Sequence, residues 1–185
     1  MQKGCASADR NNCLLSSIAQ AAGLVHPSQV DQVAIKDAVH MWRQRLHTVL
    51  APKLQEQPPD AVAERWDANF SRGEADYIHK NNCFMQGAHV SCAADELQRV
   101  ILVLQPAGTM QAAQCGNGHL TATLYPPGYV APRLDLKKVA VEAALGEQPP
   151  PYVIFLSGAH FSPLLTLAQR KANVFPPRKL MSLVR

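Results

Sequence analysis

The sequence predicts an α+β domain, because helical patterns fill its first half and strand patterns its second. In the first half, apolar residues recur at three- and four-residue spacings, which is typical of buried helix faces. From about residue 100, short apolar or alternating runs separated by proline and glycine indicate strands. A length of 185 residues is that of one domain with a sizeable core, so we expect a single domain over residues 1–185.

The composition argues against several classes of protein. The net charge of +4 is mild and unclustered, which gives no support for nucleic-acid binding. No apolar run is long enough to cross a membrane, and the first residues lack the apolar core of a signal peptide. Five cysteines, an odd number, predict free thiols in a reducing compartment. We therefore expect a cytoplasmic protein with no membrane or nucleic-acid partner.

The first predicted helix begins at a cysteine. Leu14, Ile18 and either Ala21 or Ala22 make one buried helix face, and Cys13 stands directly before that run. Unpaired backbone N–H groups and the positive end of the helix dipole favour a thiolate at such a position. Cys13 is therefore a candidate nucleophile, and the alternative is that it is a small buried apolar side chain.

The second predicted helix follows a turn at His26-Pro27. Ser28-Gln29-Val30-Asp31 has the pattern of a capping box, which predicts the start of the helix there. The apolar face then continues to about Pro52. His40 and His47 lie among polar neighbours on this helix, so we expect both at the surface.

The middle of the sequence is less regular. Residues 55–59 are expected to form a linker, and residues 60–70 a third helix with an aspartate at its N-cap. A short helix is expected to start near residues 77–79. A further helix is predicted from residue 91 or 92 to residue 99, and it leads directly into an apolar strand at residues 100–104.

The last third of the chain carries the clearest strand patterns. Residues 120–125 alternate between apolar and polar types, residues 139–145 suggest a short helix, and residues 152–156 form a continuous apolar run. Ser157-Gly158-Ala159-His160-Phe161 then places a histidine beside a glycine turn, with a second apolar run after it. A histidine held on such a hairpin is suited to act as a general base.

Cys13 and His160 together predict nucleophilic catalysis. They are far apart in the sequence and can meet only after folding, as is usual in cysteine proteases. The backbone N–H groups of Arg10, Asn11 and Asn12 lie just before the cysteine and could hold the oxyanion of an acyl-transfer reaction.

These stretches resemble motifs of the ovarian tumour (OTU) cysteine proteases, which are mostly deubiquitinases. That family has an Asp-Gly-Asn-Cys-Leu-Phe motif, matched here by Asn12-Cys13-Leu14-Leu15. It also has a Gly-x-His-Tyr motif at the end of a late strand, matched by Gly158-Ala159-His160-Phe161. Asp95-Glu96-Leu97-Gln98 resembles the family's Glu-Leu-Gln helix. The resemblance spans most of the chain but rests on few residues.

The resemblance implies a papain-like OTU fold, in which a core helix carrying the cysteine packs against a small, mostly antiparallel sheet with a helical arm. Cys13 would be the nucleophile and His160 the general base of a thiol-dependent isopeptidase. The enzyme would cleave ubiquitin or a ubiquitin-like modifier from lysine through a thioester, as a monomer and without a cofactor or metal. The surface for the modifier is expected around residues 55–90.

The sequence departs from the family pattern around both residues. Arg10 stands where the family has an aspartate three residues before the cysteine, with Asp9 displaced by one, and Asn11 replaces a glycine. Ser162 stands where the family has Asp or Asn, two residues after the histidine. Asp9, Ser162 or a distant residue could therefore complete the triad. Such divergence is typical of bacterial effectors and viral members, which implies a microbial protein acting in a host's cytoplasm.

Three other readings follow from the sequence. His119, in Gly116-Asn117-Gly118-His119, is a rival for the general base. His79, Cys83, Cys115 and His119 could supply four zinc ligands, which would make the chain a zinc-stabilised interaction domain, although these are not CxxC spacings. Alternatively, the altered acid position marks a catalytically weak or inactive ubiquitin-binding module of the same fold.

Overall fold

The structure of the protein is a computed structural model, in which residues 2–3, 11–56, 85, 87–106, 120–128, 133, 136, 138–171 and 180 are described. The helices and strands in chain order are β1 (Gln2–Lys3), α1 (Cys13–Ala21), a short 3-10 turn (Pro27–Gln29), α2 (Val33–Glu56), α3 (Gly87–Leu97), β2 (Ile101–Pro106), β3 (Leu120–Tyr125), α4 (Lys138–Gly146), β4 (Tyr152–Ser157), β5 (His160–Leu165) and α5 (Leu167–Lys171). The predicted α+β class is confirmed.

The described strands form one sheet in the order β1-β5-β4-β2-β3. All neighbouring strands are antiparallel except β2 and β4, which run parallel with Ile101 opposite Tyr152. The tight hairpin between β4 and β5 pairs Ser157 with His160. The two residues of β1 pair with the C-terminal end of β5. The sheet is therefore small and mostly antiparallel, as expected.

Two apolar clusters lie on the sheet. The larger cluster joins α1, α2 and α3 to inward-facing residues of the strands, among them Ile101, Ile154 and Phe161. The smaller cluster joins α4 to the other side chains of β2, β3 and β4, such as Leu102 and Val153. This division follows from the pleat, because successive strand residues point to opposite faces. All nine residues of α1 are buried, so α1 is the core helix of the larger cluster.

A carboxylate ties α2 to α3. Glu96 on α3 accepts a hydrogen bond of 2.8 Å from Nε1 of the buried Trp42, and its other oxygen forms an ion pair with Arg45 at 2.5 Å. Trp42 and Arg45 are both on α2, so Glu96 fixes the spacing and rotation of the two helices against each other.

The predicted bounds of several elements agree closely with the structure, but the predicted start of the second helix does not. β3 has the predicted bounds, while β4 and α4 differ from their predicted ranges by at most one residue at either end. The predicted capping box at Ser28 is wrong. The box lies earlier, where the His26 backbone N–H donates to Oε1 of Gln29 at 3.1 Å and the His26 ring accepts from the Ser28 N–H. It caps the 3-10 turn, and α2 begins only at Val33.

The other boundary predictions need correction as well. α2 continues through Pro52 to Glu56, so the helix reaches into the expected linker. α3 begins at Gly87, four residues before the predicted start. His40 and His47 are half-buried, and are not surface residues as expected. The predicted helix at 60–70 and the short one near 77–79 lie outside the described residues. Across the described part of the chain, no helix combines the length and apolar character needed to cross a membrane.

Candidate active site

Cys13 is the first residue of α1 and is 5% exposed. Two residues before it, Asn11 adopts a left-handed backbone with φ of 54°, a conformation that asparagine tolerates better than most residues. The Asn12 carbonyl then accepts the first helical hydrogen bond, from the Ser16 N–H at 2.9 Å. The first N–H groups of a helix have no partner within it, and the Asn12 side chain makes no bond to those of α1.

His160 is the first residue of β5 and is half-buried. The turn before it contains Gly158, whose φ of 60° lies in the left-handed region. A Cβ at Gly158 would meet nothing within 4 Å, so backbone conformation rather than space requires the glycine. The predicted histidine on a glycine hairpin is therefore present in the structure.

Cys13 and His160 are the first residues of two elements, α1 and β5, that pack against each other. α1 packs directly against β5 and β4. Beyond the end of β5, Nε2 of Gln169 donates a 2.9 Å hydrogen bond to the carbonyl of Ala21, the last residue of α1. The C-terminal ends of α1 and β5 thus lie together, and the two elements span about 13 Å and about 20 Å. Their first residues, Cys13 and His160, both lie at the ends remote from this bond.

Ser162 lies two residues after His160 and is 2% exposed. Alternation along the strand puts Ser162 and His160 on one face of β5, while Phe161 points to the other face and joins the core that contains α1. Ser162 therefore has the strand position from which a side chain can reach the imidazole of His160. Asp9, the other candidate for this role, lies outside the described residues.

The sequence interpretation missed one buried charged residue near the cysteine. Arg43 on α2 is fully buried, and its Nη1 donates a hydrogen bond of 3.4 Å to Oδ1 of Asn12. Asn12 itself is 3% exposed and directly precedes Cys13. Val33 and Met41 fit the apolar spacing of α2, but their side chains are exposed, and the buried face carries Arg43 instead.

The signal for Arg43 was present in the helical spacing. Ile35, Val39 and Leu46 are buried, and Arg43 falls four residues after Val39 and three before Leu46. A charged residue within such an apolar row is a departure from the usual pattern, since arginine is rarely buried without partners. Placing the row correctly would have marked Arg43 as unusual from the sequence.

The remaining predicted site residues divide into described and undescribed ones. Asn11 and Asn12 are described and precede Cys13 as expected for the oxyanion loop, whereas Arg10 lies outside the described residues. The rival base His119 and the other proposed zinc ligands are also outside them. Within the described ranges, no group of three or more His, Cys, Asp or Glu side chains could hold a metal ion, and Cys13 and Cys92 are both buried and outside any disulfide.

A core helix that begins with a cysteine and packs on a sheet whose strand begins with a histidine defines a papain-like α+β fold. More narrowly, the fold is that of the OTU deubiquitinases. A crystal structure of an OTU deubiquitinase from Wolbachia pipientis wMel bound to ubiquitin is similar, with a TM-score of 0.56 and 13% sequence identity over 89% of this chain and 94% of that one. A second structure of an OTU deubiquitinase from this organism gives a TM-score of 0.52 and 15% identity over 98% of this chain and 94% of that one.

The sequence alone gives no such match. No protein-family model matches the chain, and no curated protein sequence matches it. The resemblance inferred from short motifs around Cys13 and His160 is thus confirmed by the fold, in a sequence that has diverged widely from the similar structures.

Proposed function

We propose that the chain is a thiol-dependent isopeptidase that removes ubiquitin, or a ubiquitin-like modifier, from lysine side chains. The observation that supports this proposal is the packing of α1, which begins with Cys13, against β5, which begins with His160, with the C-terminal end of α1 bonded to the segment after β5. A thiol and an imidazole at the same end of two packed elements are the components of a nucleophile–base pair.

In the proposed first step, His160 takes the proton from Sγ of Cys13, and the sulfur attacks the carbonyl carbon of the isopeptide bond. The backbone N–H groups of the loop from Arg10 to Cys13 stabilise the negative charge on the carbonyl oxygen. The carbon–nitrogen bond then breaks, and His160 passes its proton to the departing lysine amine. The modifier remains bound to Cys13 as a thioester.

The second step restores the enzyme. His160 accepts a proton from water, and the resulting hydroxide attacks the thioester carbon. The carbon–sulfur bond breaks, the modifier leaves with a free C-terminal carboxylate, and the proton returns to Cys13. No cofactor is needed for either step.

A third residue would orient the imidazole of His160. We propose Ser162 for this role from its buried position on the same face of β5, where a hydroxyl can orient a ring weakly. Asp9 is the second candidate, because a carboxylate would also stabilise the imidazolium that forms in the first step. Activity that survives Ser162→Ala but is lost in Asp9→Asn would assign the role to Asp9.

The proposed partner is ubiquitin, because one of the similar structures is an OTU deubiquitinase bound to ubiquitin. We propose that the chain acts as a monomer and that residues 55–90 supply part of the partner surface. The proposed site of action is the cytoplasm, which is the host's cytoplasm if the chain is a microbial effector.

A ubiquitin probe with an electrophilic C-terminus tests the proposal. We expect the wild-type chain to become covalently labelled, and Cys13→Ala to remain unlabelled. Cys92→Ala is the matched control, since Cys92 is also a buried cysteine outside any disulfide but lies on α3. Labelling that persists in Cys13→Ala would refute the assignment. Ubiquitin binding by a wild-type chain that is never labelled would instead identify an inactive binding module.

A further inference from the structure

Ser17 is a polar side chain at the centre of the core helix α1. It is fully buried, and its hydroxyl donates a 2.6 Å hydrogen bond to the backbone carbonyl of Cys13, one turn earlier. The backbone N–H of Ser17 points at the same carbonyl, because helical hydrogen bonds join residues that are four apart. The carbonyl of the residue that carries the thiol is therefore held by two donors of Ser17.

A serine at this position lowers the stability of the helix. Serine has a lower helix propensity than alanine, by about 0.5 kcal/mol, and a buried hydroxyl loses its hydrogen bonds to water. A serine hydroxyl that bonds to the carbonyl four residues earlier also slightly destabilises a helix. Ala19 and Ala21 show that alanine fits buried positions of the same helix. Helix stability therefore favours alanine over serine at position 17.

The first turn of α1 lacks two groups that commonly stabilise the start of a helix. The side chain of Asn12, at the N-cap, makes no hydrogen bond to this turn, and the turn contains no acidic residue, all of its residues being described. First turns fray more easily than helix interiors, because their N–H groups have no partner within the helix. The bond from Ser17 joins the first turn to the second, and so it holds Cys13 from within the helix.

We infer that Ser17 is a positioning residue, whose hydroxyl holds the backbone of Cys13 in the orientation from which the thiol attacks. A nucleophile must stay close to its productive geometry, and a displacement of about 1 Å can cost about 100-fold in rate. Loss of one of the two bonds to the Cys13 carbonyl allows a smaller displacement, so we expect a loss of about tenfold. This inference rests on the proposed function. It adds a residue that acts through Cys13 and, being fully buried, does not contact the substrate.

Two matched pairs at position 17 test the inference. The first is the wild type and Ser17→Ala. The second is Ser17→Thr and Ser17→Val, which share one shape, although only threonine keeps a hydroxyl that can bond to the Cys13 carbonyl. We expect the ubiquitin probe to label the variant without a hydroxyl about tenfold more slowly in each pair. Equal labelling within either pair of folded proteins would overturn the inference.

The melting temperatures of the same variants should follow a different order. Ser17→Ala should keep or raise the melting temperature, because alanine is the better helix former. Ser17→Thr and Ser17→Val should both lower it, since each adds volume to a fully buried position. Labelling should therefore follow the hydroxyl and not the stability. If the larger variants do not fold, the pair of the wild type and Ser17→Ala decides the matter.

Steady-state kinetics distinguish a positioning role from a structural one. With a fluorogenic ubiquitin substrate, Ser17→Ala should lower kcat and leave KM nearly unchanged. Thr48→Ala is one control, because the Thr48 hydroxyl makes the same kind of bond, to the Gln44 carbonyl at 3.1 Å, but on α2. Ser91→Ala removes a hydroxyl from a buried serine of α3 and is the other control. Both controls should have a normal kcat. A similar fall in kcat in either control, or a rise in KM alone in Ser17→Ala, would contradict the inference.

Amide hydrogen exchange separates failure of this inference from failure of the proposed function. The Ser16 N–H bonds to the Asn12 carbonyl, so its exchange reports opening of the first turn of α1. Exchange there should be faster in Ser17→Ala than in the wild type. A wild-type chain that the probe never labels refutes the isopeptidase, and faster exchange in the variant would still show that Ser17 holds the turn. If the wild type is labelled and Ser17→Ala matches it in exchange and labelling, the role of Ser17 alone is refuted.

Discussion

The two ends of α1 contrast in how their backbone groups are used. At the C-terminal end, Gly23 has a φ of 68°, and its N–H donates to the Gln20 carbonyl at 3.0 Å. The Leu24 N–H donates to the Ala19 carbonyl at 2.8 Å, which completes a Schellman motif. At the N-terminal end, Asn12 makes no side-chain bond to the first turn, whose residues are all described.

Under the proposed function, the C-terminal end of α1 contributes to stability and the N-terminal end, with Cys13, carries the reactivity. Hydrogen-bonded carbonyls stabilise the C-terminal end of a helix and leave no group there to react. Amides without a hydrogen-bond partner at the N-terminal end lower helix stability, but they can bind negative charge. The carbonyl of Ala21, at the C-terminal end of α1, also accepts a hydrogen bond from Gln169, which lies after β5. Mutations at the two ends should therefore affect different measurements.

The largest expected effect is on activity, from a change at the reactive end. His160→Gln should slow probe labelling by about 100-fold or more, because general-base catalysis contributes about 100- to 10,000-fold. The melting temperature should change little, since His160 is only half-buried. His47→Gln, which alters a half-buried histidine on α2, is the control and should label normally. Full activity in His160→Gln would mean that another residue is the general base, and His119 would be tested first.

A change at the C-terminal end of α1 is expected to lower stability and to leave activity unchanged. Gly23→Val forces a β-branched residue into the left-handed region and should lower the free energy of unfolding by about 2 kcal/mol. Labelling by the folded fraction should be unchanged. Gly146→Ala is the control, because a Cβ there meets nothing within 4 Å. Denaturant unfolding gives the stability, and a large loss of labelling in folded Gly23→Val would show that the two ends are not independent.

A smaller effect is expected from the link between α1 and the segment after β5. Gln169→Ala removes the bond to the Ala21 carbonyl and should cost about 1 kcal/mol in unfolding free energy. Because this bond helps align Cys13 with His160, labelling should also fall several-fold. Gln44→Ala removes an exposed glutamine from α2 and serves as the comparison. Unchanged labelling in Gln169→Ala would mean that packing alone aligns α1 with β5.

The smallest effect concerns the backbone before the cysteine. Asn11→Gly and Asn11→Ala both remove the side chain, but only glycine accepts a φ of 54° without strain. The glycine variant should therefore be more stable than the alanine variant by about 1 kcal/mol in thermal unfolding. It should also label faster, because the loop before Cys13 keeps its shape. Equal stabilities would indicate that Asn11 is not left-handed in solution.

The sequence predicted the elements with dense apolar patterns. α1, β3 and β4 were predicted correctly because each has a continuous or alternating run, and Cys13 and His160 became candidate site residues because they border such runs. The capping of the 3-10 turn by His26 was missed, since histidine is not among the usual capping residues.

The buried face of α2 was harder to predict for a different reason. α2 has more apolar residues than one buried face needs. Val33 and Met41 fit the apolar spacing although both are exposed, so the face predicted from the sequence was partly a solvent-facing one. Arg43 was overlooked because a charged residue on a helix is ordinarily exposed. A bond between Gln169 and Ala21 joins the segment after β5 to the end of α1. These two residues are far apart in the sequence, so no local pattern could predict their contact.

The bond between Trp42 and Glu96 also gives the protein an internal optical reporter. Trp42 is fully buried, donates to a carboxylate, and directly precedes Arg43 in α2. Indole emission depends on local polarity and charge, so a displacement of α2 would change the intensity or wavelength of Trp42 fluorescence. The chain has one other tryptophan, Trp66, and Trp66→Phe would leave Trp42 as the single emitter. Stopped-flow fluorescence could then show whether the helix that carries Arg43 moves when ubiquitin binds.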